Sequence, residues 1–326
     1  AVGVAATNVS ISLSHAFPVI LVLWCMNGIF QSMFWGPMSR LLAGRFEKGE
    51  RVLVSTCCSL SMPLAFILSW SVLTPMLAEG PWEMNFRVPG VIIMIPMVLW
   101  LTIVVSGTKD KNSVPVSQEK ASMKEFMKTM NKDRLWMAAT ASMCDGMLKE
   151  SFTIWAPLIL ARMLGVASVK ESALYLILFP LANAAMIALN ARIIKKTGIS
   201  LRTTMIVLFV LVAVCAVVLM SGVDSVILTV VLMALISGFG YAANNVLLGQ
   251  LPMAYADKNM TSSLVGVLDF SAYVGAGVAS FGLGLLISGS DLRAIALVWL
   301  TASALAVVVT IFARGQVSAS VRRQQG

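Results

Sequence analysis

Charge is scarce in this sequence. Only 12% of its 326 residues are Asp, Glu, Lys or Arg, about half of the roughly 25% found in soluble globular domains. With 58% hydrophobic residues and a mean hydropathy of +0.87, a water-soluble fold with buried helices is excluded. Such a fold could not hide so many long apolar segments, and the polar faces it would need are missing. Motifs that carry covalent chemistry are absent too. The five cysteines, Cys25, Cys57, Cys58, Cys144 and Cys215, form no CxxC pair and sit in apolar surroundings, which argues against a disulfide framework. There is no phosphate-binding glycine loop, no zinc motif and no nucleophile elbow. Hence no enzyme, no metal and no cofactor is expected. The chain also lacks an initiator methionine, and no basic stretch precedes an apolar core at its start. Its opening, "AVGVAATNVSISLSHAF", reads as the end of a helix already under way, so a truncated chain is the expectation.

What is present is a series of apolar runs, most of them approaching or exceeding the ~20 residues that span a bilayer as a helix. They cover roughly 18–44, 52–77, 86–106, 135–161, 171–194, 203–221, 226–254, 261–287 and 292–313. The expected fold class is therefore an all-α integral membrane protein. The longest polar segment, 107–134, separates three spans from six. Within it, "EKASMKEFMKTMNKDR" sets methionines and a phenylalanine at helical spacing among lysines, as an amphipathic helix at the membrane surface would. A plain solvated linker is the simpler alternative.

The net charge of +9 has a direction. Nineteen of the 24 basic residues lie in alternate loops, and only Arg87, Arg162, Lys170 and Arg293 lie in the opposite ones. Lysine and arginine are retained on the cytoplasmic side. The excess thus marks the cytoplasmic loops of a multi-pass protein of the cell's inner (plasma) membrane, with its C-terminus cytoplasmic, and does not mark a nucleic-acid surface.

The remaining basic residue, Lys149, lies inside a span, in "MCDGMLKESFTIWAPLIL" (143–160). An ammonium at the centre of a membrane helix costs about 2.5–3.5 kcal/mol on insertion scales, so it needs a water-filled cavity or a counter-ion. Asp145 lies one turn earlier and can face it, whereas Glu150 points to another sector. Positions 145, 149, 152 and 156 form one stripe toward a central pore. Lys149 then either binds an anionic substrate, phosphate or carboxylate, or pairs with Asp145 to fix packing, or couples an ion.

Other polar residues in the spans invite the same question. Asn244 and Asn245 are adjacent, with Tyr241 one turn before them. Tyr241 and Asn245 are candidates for substrate contact, and interhelical hydrogen bonding is the plainer role. Asp269, in "SLVGVLDFSAYVGAG", is a candidate for proton or cation coupling, for the counter-ion of Lys149, or for packing. Asn27 and Gln31 share a stripe with Trp35 and could line a cavity. Arg40 is placed to snorkel or to pair with a carboxylate at a gate. The turn "LNARIIKKTGISLR" (189–202) puts Arg192 and Lys195 in a second candidate gate region.

Three stretches carry a resemblance: "GIFQSMFWGPMSRLLAGRFEKGER" (28–51), "FTIWAPLIL" (152–160) and "KNMTSSLVGVLDFSAYVGAGVASFG" (258–282). They resemble the fourth, seventh and eleventh helices of the major facilitator superfamily, most closely its organophosphate:phosphate antiporter branch, which includes glycerol-3-phosphate and hexose-phosphate transporters. The resemblance implies twelve helices in two halves, here without roughly the first three. Residues 1–106 would then be a partial N-terminal half, 107–134 the cytoplasmic linker, 135–313 the C-terminal half and 314–326 a cytoplasmic tail. It also implies a role for Lys149. The family carries a basic residue six positions before the tryptophan matched by Trp155, and that residue contacts substrate phosphate. Glycerol-phosphate transporters have arginine there. A histidine of their fifth helix is matched here by Met62, and Asp269 departs from their pattern. The implied function is secondary transport of a small organic anion, such as an organophosphate or sugar phosphate, by alternating access in a monomer. Inorganic phosphate or protons would be the coupling species. A proton-coupled carboxylate transporter and a non-transporting membrane sensor are the alternatives.

Overall fold

The structure, a computed structural model, describes residues 1–47, 49–73, 77, 80–107, 122–163, 165, 175–287 and 292–317. Nearly all of these are helical. A short α1 (Val2–Ile11) leads to α2 (Phe17–Arg45), which contains Pro37. Next comes α3 (Arg51–Leu68), which contains Pro63 and runs on into a π-helical stretch, Ser69–Leu73. Then come α4 (Met84–Ile92) and α5 (Met94–Gly107), separated only by Ile93. The amphipathic α6 (Met123–Lys132) precedes α7 (Leu135–Ile154) and α8 (Ala156–Met163). The remaining helices are α9 (Leu178–Thr197), α10 (Leu201–Met220), α11 (Val226–Asn244), α12 (Thr261–Ile287) and α13 (Leu292–Phe312).

Local chemistry explains the boundaries. Ser200 and Ser225 cap α10 and α11 by accepting from the amides of Thr203 and Leu228. Gly198, at φ 68°, ends α9 in the left-handed conformation that costs glycine least. The α7–α8 break falls at Trp155, where Pro157 two residues later cannot donate to the preceding turn.

Among the described residues, eight helical stretches are long and apolar enough to cross a membrane, one fewer than the nine read from the sequence. The one that falls short is α7, whose Asp145, Lys149 and Glu150 interrupt the apolar run. It is nevertheless 20 residues long, and twelve of these, including Asp145 and Lys149, are buried. Its charged groups are shielded by neighbouring helices.

The packing of α7 against α12 is the tightest seam. Ser142 Oγ donates to the carbonyl of Leu268 at 2.8 Å. A Cβ on Gly146 would overlap the backbone of Ala272, and one on Gly275 would overlap the backbone of Met143. Small residues at such crossings let helix backbones touch, which is how helices associate where lipid removes the hydrophobic driving force. On another side α7 meets α13 through Phe152 and Trp299, ring centroids 4.7 Å apart. Helices α9 and α11 join through Ser237 Oγ, which donates to Asn183 Oδ1 at 2.8 Å.

The amphipathic helix expected in the polar segment is present as α6, with Phe126 and Met130 buried and Met123 outside. It ends in a polar knot. The Tyr255 hydroxyl donates to Asp133 Oδ2 at 2.8 Å, Lys258 Nζ lies 3.9 Å from the same oxygen, and the amide of Arg314 donates to the Asp133 carbonyl at 2.9 Å. One buried aspartate thus ties the end of α6 to the loop before α12 and to the end of α13.

Candidate functional site

The α7–α12 seam brings Lys149 beside the middle of α12, with its ammonium 5.9 Å from the centre of the Tyr273 ring. This pair lies on the wall of a cavity of about 720 Å³. Gly28, Gln31, Ser32, Phe34 and Trp35 of α2, Ser59 and Met62 of α3, and Val4 and Ile93 line one side. Lys149, Asn244, Leu248, Asp269 and Tyr273 line the other. The cavity therefore lies between the spans that precede the polar segment and those that follow it. Most of its wall is apolar or aromatic, with a small set of polar groups.

The predicted residues separate into two groups. Lys149, Gln31 and Asp269 line the cavity. Asn27 stands behind Gln31, buried, and accepts from Gln31 Nε2 at 2.5 Å. Tyr241 lies in a small separate pocket with Phe152 and Phe179, its hydroxyl 3.1 Å from Thr153 Oγ1. Asn245 turns to α3, donating to Ser59 Oγ at 2.7 Å and accepting from Gln250 Nε2 at 2.8 Å. Arg40 is half-buried near the end of α2, and Arg192 and Lys195 are exposed near the end of α9, away from the cavity wall.

The stripe read along α7 needs correction. Only Lys149 of positions 145, 149, 152 and 156 reaches the cavity. Phe152 packs on Phe179 and Trp299, and Ala156 is fully buried. Asp145 makes no ion pair with Lys149. Its Oδ2 instead accepts from Asn244 Nδ2 at 2.9 Å, and its Oδ1, also buried, has no hydrogen-bond partner. Among the described residues the nearest carboxylate to the ammonium is that of the adjacent Glu150, at 4.0 Å. At that distance the pair is a loose one.

Sequence reasoning missed Asn244 and Tyr273 as cavity residues. Neighbouring residues on a helix point about 100° apart, so the two asparagines face different partners. Asn244 lines the cavity and Asn245 turns toward α3. For Tyr273 a signal existed, since it follows Asp269 by four residues and shares its helix face.

The two groups of spans are joined by polar contacts. Trp35 Nε1 donates to the Leu248 carbonyl at 3.3 Å, and Ser262 Oγ donates to the Gly36 carbonyl at 2.9 Å. At the basic end, Arg51 Nη1 lies 3.3 Å from Asp257 Oδ1.

A mostly apolar cavity between two groups of membrane helices, with one buried cation and several fixed hydrogen-bonding groups, is the form of a solute-binding site in a carrier. The Major Facilitator Superfamily's sequence profile matches residues 1–280, and the chain belongs to that family. Solved structures agree in fold. The human organic anion transporter MFSD10 (TETRAN) superposes with a TM-score of 0.66 at 14% identity, over 95% of this chain and 74% of that one. The transporter FucP in its outward conformation gives 0.68 at 12% identity, over 95% and 80%. The E. coli fucose:proton symporter FucP gives 0.64 at 12% identity, over the same shares of 95% and 80%. The protein is thus a secondary-active membrane transporter of a small solute, a carrier and not an enzyme.

Proposed function

We propose that the solute is a small organic anion, with a phosphate or carboxylate head, bound at Lys149 and moved by alternating access. The observation that carries this reading is the ammonium itself. Lys149 is buried to 7% exposure and faces a cavity, and among the described residues its only carboxylate neighbour within ion-pair range, Glu150, is 4.0 Å away. A buried cation so loosely paired is costly unless a ligand completes its environment. The likeness to a protein named as an organic anion transporter supports the same class. Residues 1–106 and 135–313 are the two moving bodies in this reading. The segment 107–134 and the tail 314–326 lie on the cytoplasmic side of the inner membrane.

A second reading, proton-coupled movement of a carboxylate, is favoured by Asp269, which shares the cavity wall with Lys149. A membrane carboxylate in a cavity is a natural proton carrier.

Uptake by the protein in proteoliposomes tests the first reading. Lys149→Met should abolish uptake and binding of labelled anions, while Lys149→Arg should retain part of both and shift preference toward phosphate through its bidentate fork. Unchanged anion binding by a folded Lys149→Met protein would overturn the assignment. An imposed proton gradient that accelerates carboxylate uptake in the native protein, but not in Asp269→Asn, is the result expected of the second.

A further inference from the structure

The anion site has a second half, set by Asp145. This carboxylate does not line the cavity and is fully buried, yet it fixes a group that does. Asn244 Nδ2 donates to Asp145 Oδ2 at 2.9 Å. That bond commits the amide NH2 to Asp145 and leaves the Asn244 carbonyl oxygen as the polar atom open to other partners. Asn244 is buried to 7% exposure and lines the cavity, and its carbonyl oxygen bonds no other group among the described residues. The site thus presents a fixed acceptor. Lys149 and Asn244 lie on the same wall of the cavity.

The charges of the wall point the same way. Among the described residues Lys149 is the one basic side chain on it, Asp269 is a carboxylate on the same wall, and Glu150 stands 4.0 Å from the ammonium. A doubly charged head would face these carboxylates with a single cation to hold it. A singly charged head with a neighbouring hydroxyl satisfies both Lys149 and Asn244. The apolar and aromatic remainder, with Phe34, Trp35, Met62 and Leu248, suits an apolar body.

We propose that the cavity selects a monoanion bearing a hydroxyl beside its charged head, a 2-hydroxy carboxylate with an apolar body, and that Asp145 sets this selectivity by holding the Asn244 amide. The proposal rests on the anion reading given above and narrows it. Asp145 acts as a positioning residue and Asn244 as a contact residue.

Calorimetric titration of the full chain in lipid nanodiscs provides the test, with 3-phenylpropionate, 3-phenyllactate and 2-phenylethyl phosphate as probes. The first two carry the same charge and differ only in the hydroxyl beside the carboxylate. The native protein should bind phenyllactate about tenfold or more tightly than phenylpropionate, because its hydroxyl gives the Asn244 carbonyl a partner it otherwise lacks. Asn244→Leu removes the acceptor, and Asp145→Asn can donate as well as accept and so frees the amide to turn. Both should collapse the preference to about twofold or less. A general loss of folding would weaken all probes alike and leave the ratio intact, so the ratio separates positioning from structure. If either variant fails to fold, the series on the native protein still decides. Equal binding of the two carboxylates overturns the proposal. Binding of the phosphate probe in preference to both also overturns it, while leaving the anion site standing. If none of the three anions binds, both readings fall.

Discussion

The spans before the polar segment and those after it are built from equally apolar sequence, yet they sit differently in the molecule. In α2 and in the α4–α5 stretch only 6% of the most apolar window is buried inside the protein, whereas in α11 the share is 61%. Trp24 of α2 is 56% exposed, while Trp299 of α13 and Phe209 of α10 are completely buried. Three glycines show the contrast at its sharpest. Gly28 of α2 has nothing near its missing Cβ, but Gly146 of α7 and Gly275 of α12 have a neighbouring backbone in that place. In the later spans helices are partners to each other, and in the earlier ones a large share of the apolar surface faces outward. Apolarity alone, then, reports residence in a membrane and says little about what a helix touches.

That contrast can be broken experimentally, most sharply at the glycines. Gly146→Ala should abolish recovery of folded protein in fluorescence-detected size exclusion, since overpacking costs about 1–3 kcal/mol even where side chains can yield and here a backbone stands in the way. Gly28→Ala should leave the elution profile unchanged. Equal tolerance at both positions would erase the contrast. Phe209→Ala should lower thermal stability by roughly 3 kcal/mol or more through the void it leaves, and Trp24→Ala should leave the melting curve nearly in place. Tyr255→Phe is expected to cost about 1 kcal/mol by removing the hydroxyl that Asp133 accepts, read as earlier proteolysis between α6 and α7. The smallest effect belongs to Arg51→Met. Asp257, its ion-pair partner, is 55% exposed, and pairs of that kind contribute about 0–1 kcal/mol. Its stability should barely change, and a large loss would mean that the two groups of spans depend on that contact.

The helices, the polar segment with its amphipathic helix and the cavity position of Lys149 were all legible in the sequence. They follow from run length, helical spacing and the cost of a charge in an apolar run, each a property of a short stretch. The site's other members were not legible in the same way. Whether Asn244 or Asn245 reaches the cavity depends on how α11 is rotated against its neighbours, which no spacing rule announces. That Asp145 belongs to Asn244 and not to Lys149 depends on how α11 lies against α7, a relation between residues 99 apart in the chain. That Lys149 lies nearer to Glu150 than to Asp145 is a side-chain choice, invisible to a helical wheel.

The π-helical stretch at Asn245–Gln250 has a consequence for how this protein can change over generations. Widened turns hold slack that an ordinary helix lacks. Losing one residue inside Asn245–Gln250 could be absorbed by a return to α-helical winding, with Asn244 and everything before it keeping its facing. The same deletion earlier in α11 would swing every following side chain by about 100°, the angle per residue at 3.6 residues per turn. The stretch therefore acts as an expansion joint. It lets the segment before it, which lines the cavity through Asn244, and the segment after it drift in sequence independently, so relatives of this carrier could reshape the cavity without renegotiating how their helices fit together.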